Sequence, residues 1–125
     1  MRGSVKFLIL SAILAVAWLG GPTHEAFAAS YDGKWTVLIV TEKGDCDRAY
    51  RYEVSVAGGR VRYAGDNDFK FGGTVAANGA VEVSIRRGNR GATGSGHLAD
   101  QTGAGTWHGI GSSDGCSGRW EAERR

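Results

Sequence analysis

From residue 34 onward, apolar and polar positions alternate with a period of two. Trp35, Val37 and Ile39 share one face, as do Tyr50, Tyr52, Val54 and Val56; then come Val61 and Tyr63, Phe69, Phe71 and Val75, and Val81, Val83 and Ile85. Successive side chains of an extended strand point to opposite sides, so each set marks a strand with one buried face. Turn-forming clusters separate the runs: Ala57-Gly58-Gly59, Gly65-Asp66-Asn67-Asp68, Ala77-Asn78-Gly79, Arg87-Gly88-Asn89, Asp100-Gln101-Thr102-Gly103 and residues 111–115. Asn78-Gly79 is the clearest hairpin signal among them. The pattern predicts an all-β chain of about eight strands, near 34–41, 48–56, 60–64, 69–76, 80–86, 92–99, 104–110 and 116–123, with no helix of any length.

Ahead of the strands, residues 1–28 read as a signal peptide. Arg2 and Lys6 precede an apolar run from Phe7 to Leu19, Gly20-Gly21-Pro22 ends it, and Ala26-Phe27-Ala28 supplies a small-x-small cleavage pattern. The run falls short of the roughly 20 residues that a spanning helix needs, and no second one follows. The expected address is the periplasm or the extracellular space, with residues 29–125 as a single small domain. Removal of the leader takes Arg2, Lys6 and Glu25 away from a chain of 15 basic and 13 acidic residues, so the remaining charge is nearly balanced. Bulk charge therefore gives no support to nucleic-acid or anionic-membrane binding.

The two cysteines, Cys46 and Cys116, both lie in the exported part, where one disulfide is expected. It would close a loop of about 70 residues and contribute roughly 4 kcal/mol in the chain-entropy model. Eight strands joined by consecutive hairpins make either a closed, antiparallel up-and-down barrel or, alternatively, a flattened β-sandwich. Cys46 precedes the second strand and Cys116 opens the eighth, so both fall at the same end of a meander, on the strands that flank the first if the sheet closes. A disulfide there pins the seam, and closure removes the edges that an exported chain would otherwise expose. The 21 glycines and single proline suit many turns with uninterrupted ladders between them.

A meander has two unlike ends. The end holding residues 57–59, 77–79 and 100–103 has tight turns. The disulfide end gathers longer, charged segments: Glu42, Asp45 and Asp47; Asp66, Asn67 and Asp68; Arg86, Arg87 and Arg90; Ser112, Ser113 and Asp114. Binding residues concentrate on such loops over a rigid scaffold. Strand direction also brings Tyr50, Tyr63 and Phe69 to this mouth, with Trp107 deeper, so the candidate ligand-binding set is Tyr50, Tyr63, Phe69, Trp107, Arg86, Arg87 and Arg90. An aromatic mouth can stack on a sugar or enclose an apolar ligand, but an eight-stranded barrel is just wide enough for its own side chains, so interior filling is the plainer role for these rings. Asp66-Asn67-Asp68 alternates oxygen ligands without the spacing of a calcium loop. His97 and His108 face outward on neighbouring strands and form at most a surface pair. No glycine-flanked nucleophilic serine or free cysteine occurs, so neither catalysis nor a cofactor is expected.

Gly33-Lys34-Trp35 resembles the G-x-W start of lipocalin-like barrels, in which a basic residue of the last strand packs over the ring; Arg119 and Arg124 are the candidates for that role. Avidin-type barrels are nearer in size, but their biotin-contacting pattern has no match. Tyr31-Asp32-Gly33-Lys34-Trp35, the Cys46 segment, Gly103-Ala104-Gly105-Thr106-Trp107 and the tail from Cys116 to Arg125 together resemble an uncharacterised family of short exported proteins from soil and plant-associated alphaproteobacteria. Its members are sometimes labelled as exoproteins of haem utilisation or adhesion. That resemblance implies a shared fold and compartment and brings no functional residues with it. The leading expectation is a noncatalytic exported module that binds a small molecule or glycan at the loop-rich end. The alternatives are an inhibitor of an extracellular or periplasmic hydrolase, acting through the segment Arg86 to Gly91, and a structural envelope protein.

Overall fold

The computed structural model describes residues 30–65 and 68–125. Residues 1–29, on which the expected signal peptide falls, lie outside the described residues, as do Asp66 and Asn67. Eight strands follow one another: β1 (Gly33–Lys43), β2 (Ala49–Ala57), β3 (Arg60–Tyr63), β4 (Lys70–Val75), β5 (Ala80–Arg87), β6 (Arg90–Leu98), β7 (Thr102–Gly111) and β8 (Ser117–Arg124). Each pairs antiparallel with its neighbour in sequence, and β8 returns to β1, so the sheet is a closed barrel rather than a sandwich. Every strand begins and ends close to where the alternation places it. The aligned apolar sets all face inward: Trp35, Val54, Val56, Val61, Val75 and Val81 are buried, joined by Leu98, Trp107, Trp120 and Ala122. The outward positions carry Lys34, Arg51, Glu53, Arg62, Glu82, Glu121 and Glu123, in place of the apolar band of a lipid-facing barrel. Among the described residues, no helix is long and apolar enough to cross a membrane.

The β6–β8 wall is built differently from the rest. Its inward positions include Ala92, Gly94 and Gly96 on β6, Gly103, Gly105 and Gly109 on β7, and Gly118 and Ala122 on β8. The Trp120 indole lies over this bare stretch and reaches across β7 to donate from Nε1 to the Ser95 carbonyl on β6, 3.1 Å away. A Cβ on Gly105 would collide with the Ser95 carbonyl and lie 2.6 Å from the indole; one on Gly96 would lie 2.6 Å from the same ring. Trp107 likewise reaches past β8 and donates to the Val40 carbonyl on β1 at 3.0 Å, beside the register shift between Thr41 and Lys43. Both polar indole groups are thus satisfied inside the barrel, as buried N–H groups require.

One end is closed. Trp35, 1% exposed, forms its floor and donates to the Tyr31 carbonyl at 3.0 Å. Arg124, rather than Arg119, stacks over Trp35 at 5.1 Å and donates to the carbonyls of Ser30, Asp32 and Asp100. Arg119 points outward to Glu42 and Glu121. Asp32 accepts from the Gly58 amide at 3.0 Å, so residues 30–32 cross the closed end as a strap fastened to two turns. At the opposite end, the Cys46–Cys116 disulfide joins the β1–β2 and β7–β8 loops, its Cα atoms 6.1 Å apart. Gly44, at φ 94°, fits against Gly115 and Cys116 where a side chain would clash.

The glycine bed predicts an asymmetric response to alanine. Gly105→Ala forces Trp120 off its seat and costs about 1–3 kcal/mol, as overpacking does, whereas Gly72→Ala adds a Cβ into open space outside the wall and leaves stability unchanged. Urea denaturation midpoints of the two variants check this, and equal effects would contradict the seating.

Candidate functional site

The barrel encloses a cavity of about 780 Å³ that opens at the disulfide end. Its size comes from what the wall lacks. An eight-stranded barrel is normally filled by its inward side chains, yet here glycine and alanine occupy most of the inward positions of β6–β8, and Gly73 occupies one on β4. The two indoles lie flat and leave the axis open. The depths are apolar, with Val37, Ile39, Phe71, Val83, Ile85, Trp107 and Trp120 among the lining side chains, and the charged lining residues, Asp45, Asp47, Arg87 and Arg90, all belong to the mouth.

The mouth is assembled from unlike halves. On one side, the β7–β8 loop folds over the barrel edge, because Gly109 leaves room for the Ser113 backbone, and Ser112, Ser113 and Cys116 reach the lumen. The β1–β2 loop opposite is held by the disulfide and by Thr41, whose buried hydroxyl donates to the Asp47 carbonyl at 2.6 Å and whose amide donates to the Arg48 carbonyl at 2.9 Å. On the other side, β3 and β4 share a single backbone pairing, Arg60 with Thr74. Their junction is closed by rings instead of a ladder: Tyr63 meets Tyr52 edge-on at 5.6 Å, Phe69 edge-on at 5.8 Å and Phe71 at 6.1 Å. Tyr50 stacks on Tyr52 at 6.0 Å and, at 36% exposure, reaches the opening.

Of the residues singled out by the sequence, Tyr50, Phe69, Trp107, Arg87 and Arg90 line the cavity together. Tyr63 backs the aromatic wall and does not touch the lumen. Arg86 sits on the outer face, paired with Lys70. The reason is that the expected β5–β6 loop is a two-residue turn, Gly88-Asn89, so Arg86, Arg87 and Arg90 all lie in strands and strict alternation sends Arg86 outward and the other two inward. The outward histidines do not meet: His97 pairs with Ala104 and His108 with Thr93, about 13 Å apart along the ladder. Among the described residues, no three His, Cys, Asp or Glu side chains converge to hold a metal ion. Tyr52, Ile85 and Trp120, absent from the expected set, are signalled by parity alone.

Comparison with protein-family models, curated proteins and solved structures finds no match. The site therefore stands on its geometry. Arg87 stacks over Phe69 at 5.1 Å and lies 3.7 Å from Asp68. Arg90, its cross-strand neighbour, forms no ion pair among the described residues. Burial pushes the Tyr50 phenol above its usual range, helped by the charge and hydrogen bond of Asp47 and opposed by Arg90. Burial also raises the Tyr52 phenol, with Tyr50 and Tyr63 adding to it and Arg87 opposing. The arrangement supplies an apolar chamber with a bipolar rim.

Because folding holds both phenols neutral, their contribution to stability is complete below about pH 10, where the unfolded phenols begin to ionise, and is lost as pH rises through the raised folded values. The urea midpoint should fall as pH rises above about 10, and fall less in Tyr52→Phe. Identical declines in the two proteins would contradict this placement of Tyr52.

Proposed function

We propose that this protein is a noncatalytic, exported binding module that takes a small apolar molecule into the barrel through its disulfide-bearing mouth. The observation that carries the reading is the cavity of about 780 Å³, within the range of ligand sites that enclose small molecules. Its walls suit an apolar occupant: a glycan would set its hydroxyls against Val37, Ile39, Phe71 and Ile85, where they would lose water without gaining partners. Export accords with the leader-like residues 1–28 and with a disulfide that an oxidising compartment maintains. Inhibition of a hydrolase by an inserted β5–β6 loop finds less support, since that connection is a two-residue turn.

A neutral apolar dye such as Nile red tests the reading. It should bind one per barrel with a blue-shifted emission, quench the tryptophans and raise the unfolding midpoint, as any ligand of the native state does. Ala92→Phe and Val83→Phe, which place rings in the lumen, should each weaken binding at least about tenfold while the barrel stays folded by near-ultraviolet dichroism. Undiminished binding in both folded variants would place the dye elsewhere and overturn the reading.

A further inference from the structure

The mouth and the lumen together narrow the chemistry of the occupant. This step rests on the reading that the cavity binds a small apolar molecule, and it names the class. We propose that the ligand is a straight-chain anionic amphiphile of the fatty-acid type, its tail in the lumen and its carboxylate on Arg90 at the mouth.

Shape comes first. The lumen is closed below by Trp35 and its strap, and open above. From Trp35 to Thr41, β1 rises about 15 Å along a tilted barrel axis, the length of an extended chain of about twelve carbons. No charged side chain lines the walls below the mouth, so a polar group carried into the depths would be stranded. The polar part of any occupant therefore stays at the rim.

Sign comes second. Arg87 and Arg90 stand directly opposite each other on β5 and β6, both at inward positions. Like charges so placed repel, and an anion between or beside them relieves that repulsion. Arg87 is engaged by Phe69 and Asp68. Among the described residues, Arg90 is the lining cation without an ion pair, and it faces the opening. Just outside, Lys70 and Arg86 pair on the outer wall of β4 and β5, extending the positive lip. The acidic lining residues, Asp45 and Asp47, belong to the β1–β2 loop on the other lip, where Asp47 engages the Tyr50 phenol. Tyr50 reaches the opening from β2 with its hydroxyl engaged by Asp47, which leaves the Arg90 guanidinium to meet a head group there. A carboxylate accepts from this guanidinium; a cation would be repelled by it.

The test compares dodecanoate, dodecanol and dodecyltrimethylammonium with the folded full domain near pH 8, each below its micellar concentration, by tryptophan quenching and calorimetry. Dodecanoate should bind about tenfold tighter than dodecanol, as a charge-assisted contact at the mouth would give. The ammonium compound should bind weakest. Shortening the acid should weaken binding by about fourfold per methylene removed. Arg90→Gln, shown to be folded by near-ultraviolet dichroism, should abolish the preference for dodecanoate over dodecanol. Equal binding of dodecanoate and dodecanol, or a preference for the ammonium compound, would overturn the anionic head group while leaving the apolar cavity in place. Absence of binding by all three, together with absence of Nile red binding, would overturn both.

Discussion

Two indole rings lying flat on strands that have no side chains to hold them off set the character of this barrel. Trp120 spans Gly105 and Gly96 to reach the Ser95 carbonyl, and Trp107 reaches past β8 to the Val40 carbonyl. Each ring exchanges a hydrated N–H for a bonded one and buries a large apolar surface, which an upright tryptophan could also do. Lying flat adds something else. The rings line the wall in place of crossing the axis, so the volume that glycine gives up is not taken back by tryptophan, and the lumen stays open.

That open lumen needs one sealed end and one accessible end, and different interactions make each. At the floor, Trp35, Arg124 and the strap of residues 30–32 interlock through backbone carbonyls, so closure there does not depend on long side chains finding each other in water. At the mouth, the disulfide fixes the β1–β2 and β7–β8 loops beside the seam where first and last strands meet. The β3–β4 side has one backbone pairing and a cluster of rings. Edge-to-face ring contacts are weaker than a hydrogen-bonded ladder, so this side of the mouth is held less firmly than the disulfide side.

Much of the fold was legible in the sequence because period-two alternation is read directly off side-chain identity. It gave the strands and the inward sets, and the places of Cys46 and Cys116 at one end selected the barrel. The site was legible only in part. Gly96 and Gly105 read as turn-rich composition, because a glycine carries no sign of what lies over it; only the packed structure shows that the Trp120 indole does. Arg86 was grouped with Arg87 and Arg90 because three arginines around Gly88-Asn89 look like a loop, and a turn of two residues restores alternation and separates them. His97 and His108 look adjacent by strand number, but the register sets them four positions apart. Aromatic residues at a mouth also give no volume, so an open and a filled interior look alike until the opposite wall is counted.

The central claim is that the interior is an open apolar chamber reached from the disulfide end and floored by tryptophan. Isotope-filtered nuclear Overhauser measurements on labelled protein with an unlabelled dodecyl ligand test it most directly. The account predicts contacts from the terminal methyl end of the chain to the indole protons of Trp107, Trp120 and Trp35, and from the head end to Tyr50 and Phe69. Contacts confined to outward residues such as Thr36, Arg62 or His108, or to the rim alone with the indoles untouched, would contradict it.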